Sequence, residues 1–414
     1  MLSDETMELG DSSLFLVRQP VFDRDRNVWG YELKTNAVEA LDGLVQENMV
    51  DAFRDTLAAI GENAGIDKKI FVSADLEELL GEGDTPIDWG NCVVTFSGES
   101  AGSREHRLFV ETMKQFGGTM LLDQDVGAEV FDELAAEADI FRVSLAGKSP
   151  RDIVKARHSL KDFPGRFLAS DIESWEAYEG TRALGFDLFQ GSFFSRPFID
   201  PERDISSGNV AKLQLLRELN NSACELDELS AIISTDVALS YKLLKYINSA
   251  SFGMRNRIRS IPQAVSLLGL KEVRHWAMVV IMADLDPTPR GEELAYMALQ
   301  RARFLGKLAS VLSRLPQSGE SMFLLGLFSK LDALLSYDMR QALADIPLDH
   351  DMKAALCGEE NEYREWLDML DAVEQARWGY ANGFIVRFGA CLTKAATEYL
   401  KASSWAARQL PNIR

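Results

Sequence analysis

Two acidic residues, Glu32 and Asp123, occupy positions in which a carboxylate could bind a metal ion or a substrate. Glu32 lies in the apolar segment 28–34, where the alternation of a strand places it on the same face as Gly30. Asp123 directly follows the apolar run 119–122. A carboxylate on an interior face needs a partner, such as a metal, a substrate or a buried cation. Plain pairing of Glu32 with an arginine at a strand end is the alternative that these residues leave open.

Short apolar runs and amphipathic runs alternate from residue 13 to residue 200, a pattern typical of strands followed by helices. The predicted strands are 14–18, 28–33, 70–73, 92–96, 119–122, 140–143, 166–169 and 187–190. The predicted helices are 44–60, 75–80, 103–116, 128–136, 150–160 and 174–184, and a hairpin turn at 23–27 joins the first two strands. About eight strands with helical crossovers predict a (β/α)₈ barrel, whose chemistry lies at the C-terminal ends of its strands.

Four segments of this region resemble the EAL domain, a family that is named for its Glu-Ala-Leu motif and hydrolyses the bacterial messenger cyclic di-GMP. They are Arg18-Gln-Pro-Val-Phe22, Tyr31-Glu-Leu33, Leu122-Asp123 and Phe189-Gln-Gly-Ser-Phe-Phe-Ser-Arg-Pro197. The last segment is the most specific. The resemblance implies two divalent cations held by carboxylates and one Asn, and a Lys that helps to position the attacking water.

This chain keeps only part of the residue set that the resemblance implies. The retained residues are Glu32, Asp123 and Gln190, together with Glu173. The departures are Ser73 for the Asn, Thr95 or Phe96 for a glutamate, Gln124 for the second of two aspartates, Arg142 for the Lys, Ser144 for an aspartate and Ser170 for a glutamate.

The retained carboxylates are too few for a site with two metal ions. Such a site needs several oxygen ligands for each cation, and the fixed positive charge of Arg142 opposes metal binding. Asp125 and Asp171 are acidic but do not fall at the matching positions. We therefore expect no catalytic residue, no metal and no cofactor, with Glu32 and Asp123 paired to Arg142 or another cation. Mg²⁺ or Mn²⁺ is expected only if the barrel is a divergent phosphodiesterase.

A nucleotide could still bind in the barrel without being cleaved. Gln190, Arg18 and Arg196 are the polar residues that such a ligand would contact, although plain packing roles fit them equally well.

Composition indicates a globular protein of about two to three domains. The chain has 414 residues, of which 46% are hydrophobic and 26% charged, and a net charge of −20. This charge disfavours nucleic acid and anionic lipid as partners. The four cysteines have no CxxC spacing, which disfavours disulfides and a zinc site. The acidic N-terminal residues are unlike a secretory signal, and the longest apolar run, 276–283, is too short to span a membrane. A cytoplasmic protein is expected.

The segment 197–208 carries two prolines and ends in Ser-Ser-Gly, which predicts a linker. Beyond it nearly every apolar pattern has a helical period. The predicted domains are therefore 1–200 for the barrel, 201–208 for the linker and 209–414 for an all-helical domain. Its later helices are predicted at 292–314, 320–336, 338–344, 350–357, 361–376 and 380–408.

Two segments of the helical half, 236–253 and 258–269, resemble the HDOD domain, a helical relative of HD-type metal phosphohydrolases in bacterial signalling. HD enzymes hold their metals with a His, an adjacent His-Asp pair and a further Asp. His350-Asp351 is such a pair but lies in a polar loop, and Phe328-Ser329 stands where the pair is expected. His275 is predicted to be a satisfied core or groove residue, so no metal is expected here. The order of the two domains resembles a class of EAL–HDOD tandem signalling proteins.

A cluster of basic residues contrasts with the acidic remainder of the chain. Its members are Lys242, Lys245, Arg255, Arg257, Arg259, Lys271 and Arg274. The cluster is either a solvated helical face or a docking patch for an acidic partner. The second helix of the segment 261–282 is largely apolar, which disfavours a DNA-reading role.

These observations predict a catalytically inactive bacterial signalling adaptor or regulator of cyclic-di-GMP-linked processes that acts through protein partners. A homodimer remains open, as does cyclic di-GMP as a ligand. The alternatives are a divergent metal-dependent phosphodiesterase that uses Glu32 and Asp123, and a cyclic-di-GMP-binding effector without turnover.

Overall fold

The computed structural model of the protein describes residues 15–35, 68–73, 89–97, 110–111, 113–199, 205–221, 224–248, 258–311, 317–389 and 391–413. Within these ranges eight strands form a closed barrel, in which each strand pairs with the next along the chain and the last pairs with the first. The strands are β1 (Leu16–Asp23), β2 (Val28–Thr35), β3 (Lys69–Ser73), β4 (Cys92–Phe96), β5 (Thr119–Asp123), β6 (Ile140–Ser144), β7 (Arg166–Ser170) and β8 (Leu188–Gln190). The predicted barrel is confirmed.

The first two strands form an antiparallel hairpin, while strands β2 to β8 are parallel. The predicted turn is confirmed. The Asp23 carboxylate accepts hydrogen bonds from the backbone N–H groups of Asp25 and Asn27, each at a distance of 2.9 Å. Asp23 thereby satisfies donors that the turn leaves unpaired. The prediction for β1 stopped at residue 18 because Gln19 and Pro20 interrupt the apolar run, yet the strand continues to Asp23.

A layer of apolar side chains fills the barrel. Its members, each at most 1% exposed, are Val21, Phe71, Val93, Leu121, Ile140, Leu168 and Leu188. Side chains alternate along a strand. On each strand the residue two positions beyond this apolar layer, toward the C-terminal ends of the parallel strands, therefore also faces the interior. We call this end of the barrel the mouth. The interior residues nearer the mouth are polar: Gln19, Glu32, Thr95, Asp123, Arg142, Ser170 and Gln190.

Helices of the barrel follow the later strands. They are α1 (Ala128–Leu134), α2 (Pro150–Ser159) and α3 (Trp175–Ala183). Helix α2 begins with a capping box, because the Ser149 side chain accepts from the Asp152 N–H and the Asp152 side chain accepts from the Ser149 N–H. The predicted helices 128–136, 150–160 and 174–184 are confirmed. The predicted helices 44–60 and 75–80 lie outside the described residues, as does the part 103–109 of the predicted helix 103–116.

The remaining elements are helical. They are α4 (Ser207–Leu219), α5 (Leu226–Thr235), α6 (Val237–Ile247), α7 (Ile261–Leu268), α8 (Leu270–Asp284), α9 (Pro289–Val311), α10 (Gly319–Phe328), α11 (Leu331–Leu335), α12 (Met339–Ala342), α13 (His350–Leu356), α14 (Glu362–Glu374), α15 (Trp378–Arg387) and α16 (Leu392–Ile413). Helix α7 has a capped first turn, since the Ser260 side chain accepts from the Gln263 N–H and Pro262 lies in the first turn.

Two predicted helices are wrong because each is divided. The predicted helix 320–336 ends at Phe328 and resumes at Leu331. The predicted helix 380–408 consists of α15 and α16, and Gly389, at a φ of 75°, lies between them. A positive φ ends a helix, and glycine adopts it without steric cost.

The chain divides into two compact units. One comprises Met1–Arg196 with Asp371–Leu400, and the other comprises Pro197–Leu370 with Lys401–Arg414. In the first unit the fully buried ring of Phe15 packs against Trp378 and Tyr399, with centroid distances of 6.2 Å and 5.6 Å. The barrel unit is therefore assembled from two separated stretches of sequence. The domain limits 1–200, 201–208 and 209–414 stay a prediction.

Candidate functional site

The guanidinium of Arg142 lies between two carboxylates at the mouth of the barrel. Its Nη1 donates to Glu32 Oε1 over 2.6 Å, and its Nε and Nη2 each lie 2.7 Å from Asp123 Oδ2. Glu32 and Arg142 are buried, with 8% and 9% of their surfaces exposed. The predicted pairing of Glu32 and Asp123 with Arg142 is confirmed.

Two glutamines extend this arrangement toward the second stretch of the barrel unit. Gln190 Nε2 donates to Glu32 Oε2 over 2.6 Å and to Gln19 Oε1 over 3.2 Å. Gln19 Nε2 donates in turn to the backbone carbonyl of Glu374 over 2.7 Å. We call Gln19, Glu32, Asp123, Arg142 and Gln190 the inner network. It connects the barrel interior to the C-terminal end of α14.

The local backbone explains where Gln190 points. Gly191 follows it at a φ of 145°, and a Cβ at Gly191 would lie 2.2 Å from the carbonyl oxygen of Ile172. The Ile172 N–H donates to the Gln190 carbonyl over 3.1 Å, and the Phe193 N–H donates to the Ile172 carbonyl over 3.0 Å. Only glycine permits this close approach, so the Gln-Gly pair holds Gln190 at the mouth.

The two carboxylates of the inner network respond differently to their surroundings. Burial favours the protonated form of Glu32, but Arg142, Lys34 and the hydrogen bond from Gln190 outweigh it and lower the pKa of Glu32 to about 2. Burial raises the pKa of Asp123, because desolvation outweighs the attraction of Arg142. Repulsion from Asp125 raises this pKa further. Burial alone would lower the pKa of Arg142, but Glu32 and Asp123 raise it. Arg142 therefore stays charged.

A second set of polar residues, which we call the rim, lies on the ends of β5, β6 and β7 and the loops that follow them. Its members are Gln124, Ser144, Lys148, Ser170 and Asp171. Lys148 Nζ donates to Gln124 Oε1 and, over 2.7 Å, to the Ser144 carbonyl. The hydroxyls of Ser144 and Ser170 donate to Asp171 Oδ2 over 2.5 Å and 3.2 Å. Asp171 has a φ of 58°, which is rare for a residue with a side chain.

The inner network does not fit the pair of divalent cations that the EAL resemblance implies. Both oxygens of Glu32 and both oxygens of Asp123 already accept hydrogen bonds, from Arg142, from Gln190 and from the Gln124 N–H. A guanidinium occupies the space between the two acids, and its charge repels a cation. Across the described ranges, no group of three or more His, Cys, Asp or Glu residues could hold a metal ion.

Gln190, Arg18 and Arg196 were suggested from sequence as residues that a nucleotide in the barrel would contact, and the structure differs among them. Gln190 is at the mouth as predicted. Arg18 is not, because its guanidinium packs over the outward-facing ring of Tyr31 at 4.6 Å. The Arg196 side chain is exposed, and its backbone carbonyl accepts a hydrogen bond from Trp175 Nε1 at 3.1 Å.

Thr95 faces the interior, and its buried hydroxyl has no hydrogen-bond partner among the residues that the structure describes.

Sequence reasoning missed Gln19 and Lys148. Alternation could have found Gln19, since it lies two residues from the core residue Val21 in an antiparallel strand that borders both Glu32 and Gln190. Lys148 lies in a loop, where no periodicity indicates which way a side chain points.

In the helical half, His275 Nε2 lies 2.6 Å from Glu320 Oε1, and the His275 ring stacks on Phe323 with centroids 4.2 Å apart. His275 is thus satisfied by its neighbours, as predicted. His350 and Asp351 are exposed at the start of α13, with His350 Nδ1 3.4 Å from Asp351 Oδ1.

The basic cluster is partly neutralised. Lys242 pairs with Asp284 over 2.8 Å, Lys271 pairs with Glu320 over 3.2 Å, and Arg274 donates to the Cys224 carbonyl over 3.3 Å. Lys245 and Arg259 are exposed, while Arg255 and Arg257 lie outside the described residues.

The family model described as the HDOD domain matches residues 209–356. The C-terminal region thus contains an HDOD domain, and this part of the resemblance is confirmed. YuxH of Bacillus subtilis (strain 168) is 28% identical over 410 residues, which is 95% of this chain and 98% of YuxH. A Vibrio cholerae protein named cyclic di-GMP phosphodiesterase CdgJ is 27% identical over 402 residues, which is 94% of this chain and 92% of CdgJ.

Solved structures of EAL proteins are more distant. The YkuI protein of Bacillus subtilis, in complex with cyclic di-GMP and calcium, is 16% identical, with a TM-score of 0.35 over 46% of this chain and 57% of that chain. A standalone EAL protein of Vibrio cholerae O395, bound to cyclic di-GMP, is 18% identical, with a TM-score of 0.33 over 46% of this chain and 96% of that chain. The barrel is defined by its own strand order.

The comparison with CdgJ corrects one prediction. The chain was expected not to be an enzyme, whereas a relative that aligns with 94% of it is named a phosphodiesterase. That expectation rested on a count of acids at fixed positions, and such a count does not measure turnover.

In the ranges that the structure describes, each helix is either too short or too polar to cross a membrane.

Proposed function

We propose that this chain is a cyclic-di-GMP-linked signalling protein whose barrel binds the dinucleotide at its mouth. The observation that carries the proposal is the inner network. It brings Glu32, Arg142 and Gln190, up to 158 residues apart in sequence, within hydrogen-bond distance where barrels of this kind bind ligands. The name of the Vibrio cholerae relative supports the choice of ligand.

The chemistry of the mouth suits such a ligand. Cyclic di-GMP carries two anionic phosphodiesters and two guanines, which present both donors and acceptors. The mouth offers the cations Arg142 and Lys148, together with amide and hydroxyl groups of Gln124, Ser144 and Gln190. The Thr95 hydroxyl, which has no hydrogen-bond partner among the described residues, adds a buried polar group to the same interior face. Buried polar groups without a partner are costly, so a ligand or ordered water that reaches Thr95 is favoured.

The helical half is the proposed contact surface for protein partners. Lys245 and Arg259 are exposed members of the basic cluster, and an acidic surface is their electrostatic complement. The partner's acidic character would make its association rate fall with ionic strength.

Calorimetry with the full chain and cyclic di-GMP tests the proposed ligand. The expected result is saturable binding together with a rise in the thermal unfolding midpoint, because a ligand that binds only the folded state stabilises it. Product formation is measured in the same samples with Mg²⁺ or Mn²⁺, so that hydrolysis is detected if it accompanies binding. The absence of both binding heat and a thermal shift at high ligand concentration would overturn the proposal.

A further inference from the structure

The ammonium group of Lys148 differs from the other cation at the mouth in the charge of its hydrogen-bond acceptors. Arg142 faces two carboxylates at hydrogen-bond distance, whereas both acceptors of Lys148, Gln124 Oε1 and the Ser144 carbonyl, are neutral. In the parts of the chain that the structure describes, no carboxylate forms a direct ion pair with Lys148. An ammonium has three donors, and two of them are used here. Lys148 thus keeps a donor and an unmatched charge.

The residues around Lys148 hold it in place. Gln124 Oε1 also accepts from the Ser144 N–H over 3.2 Å, so one amide oxygen bridges the ends of β5 and β6. The hydroxyls of Ser144 and Ser170 both donate to Asp171, which holds that carboxylate beside the two serines. Lys148 itself is half-buried. A cation held in this way loses little conformational freedom when it meets an anion.

The residue types of the rim favour an anion over a cation. Gln124, Ser144 and Ser170 are neutral where the EAL resemblance implies acids. Each replacement removes a negative charge that would attract a metal ion and repel a phosphate. Asp123, Asp171 and Asp152 still act on Lys148 through space, but desolvation is the largest influence and lowers its pKa. An anion bound to Lys148 would offset that loss of hydration.

We propose that Lys148 binds a phosphodiester of the dinucleotide at the rim, as the cation that contacts the ligand while Arg142 organises the inner network. This assignment rests on the proposed function. It names the group of the ligand that meets the rim and the residue that meets it.

Calorimetry with full-length Lys148→Met, Lys148→Arg and Lys155→Met variants tests the assignment, with cyclic di-GMP as the probe. Lys155 is an exposed lysine on α2, so its replacement changes the net charge equally and serves as the matched control. A hydrogen bond between charged groups contributes about 1.5–3 kcal/mol, so Lys148→Met is expected to bind about tenfold to a hundredfold more weakly. Lys148→Arg should retain most of the affinity, and Lys155→Met should bind within about twofold of the wild type.

Ionic strength supplies a readout that a merely structural role would not change. Salt screens the attraction between an ammonium and a phosphate, so the affinity of the wild type should fall more steeply with salt than that of Lys148→Met. Circular dichroism checks that each variant is folded. If Lys148→Met does not fold, Lys148→Gln, which keeps a donor without the charge, takes its place. Equal affinities and equal salt dependence in the wild type and the neutral variant would overturn the assignment of Lys148. Absence of binding by the wild type would instead overturn the proposed function.

Discussion

Arg142 Nη1 lies 2.6 Å from Glu32 Oε1, although 110 residues separate the two side chains in sequence. Both groups are buried, so each depends on the other to offset the loss of hydration. Asp123 contacts Arg142, Gln190 contacts Glu32, and Lys34 Nζ lies 3.4 Å from Glu32 Oε2. The pair therefore reports on whether the barrel has closed, because Glu32 is on the second strand and Arg142 on the sixth.

Replacement of Glu32 by alanine is expected to lower the free energy of unfolding by about 3 kcal/mol, because it leaves Arg142 buried with only one of its two partners. Urea unfolding at pH 7 measures the change. Glu173→Ala removes an exposed carboxylate from the same barrel and should change stability by no more than about 0.5 kcal/mol. Equal costs for the two variants would show that the inner network does not stabilise the fold.

Acid should weaken the contribution of Glu32. Its pKa is about 2 in the folded protein, below the ordinary value of 4.5. The stabilisation is thus complete above about pH 4.5 and is lost as the pH falls toward 2, by about 3 kcal/mol in total. The raised pKa of Asp123 acts in the opposite direction. The stability difference between wild type and Glu32→Ala should shrink between pH 6 and pH 2.5, and a constant difference would contradict the low pKa.

Removal of divalent cations should leave ligand binding unchanged. All four carboxylate oxygens of Glu32 and Asp123 already accept hydrogen bonds. We expect the dissociation constant for cyclic di-GMP to agree within about twofold in EDTA and in Mg²⁺, since a twofold change corresponds to only about 0.4 kcal/mol. Calorimetry in the two buffers makes the comparison. Binding that requires the metal would show that the inner network opens to admit it.

Phe15→Ala should destabilise the protein by about 3–5 kcal/mol, because it removes a fully buried ring that packs on Trp378 and Tyr399. Phe116→Ala is the matched control, since Phe116 is 64% exposed and its loss should cost no more than about 0.5 kcal/mol. Urea unfolding followed by tryptophan fluorescence compares them. A small effect at Phe15 would mean that residues 371–400 contribute little to the barrel unit.

Gly191→Ala should cost at least about 2 kcal/mol, because the new Cβ would collide with the backbone of Ile172 at a φ that side chains rarely adopt. Gly180→Ala provides the contrast: nothing lies within 4 Å of a Cβ there, and the site is within helix α3. That variant should gain about 0.5–1 kcal/mol. Thermal unfolding ranks both, and a harmless Gly191→Ala would show that the loop after Gln190 can relax.

Much of the barrel could be predicted from sequence because strands that are buried on both faces leave short, continuous apolar runs. The prediction for β4 was correct at both ends, and that for β6 ended one residue early. The pairing of Glu32 with Arg142 also followed, since an interior acid requires a nearby cation.

Other features depend on tertiary contacts that no local pattern encodes. A helical period shows that one face of a helix is buried, but it does not specify against which element. Residues 371–400 read like the helices before them, yet they belong to the barrel unit. The direction of Lys148 is set by Gln124 and Ser144 from two different strand ends, so its own surroundings in sequence contain no sign of it.

The packing of Phe15 against Trp378 and Tyr399 has a consequence for synthesis on the ribosome. At about 5–20 residues per second, the chain between Arg196 and Leu400 takes about 10–40 s to emerge. During that interval the nascent barrel strands exist without the helices that complete their unit. The Gln19 amide also lacks its Glu374 acceptor for most of that period. Expression hosts that slow translation would prolong this exposure, and a gene split within the predicted linker 201–208 would make it permanent unless both fragments were supplied together.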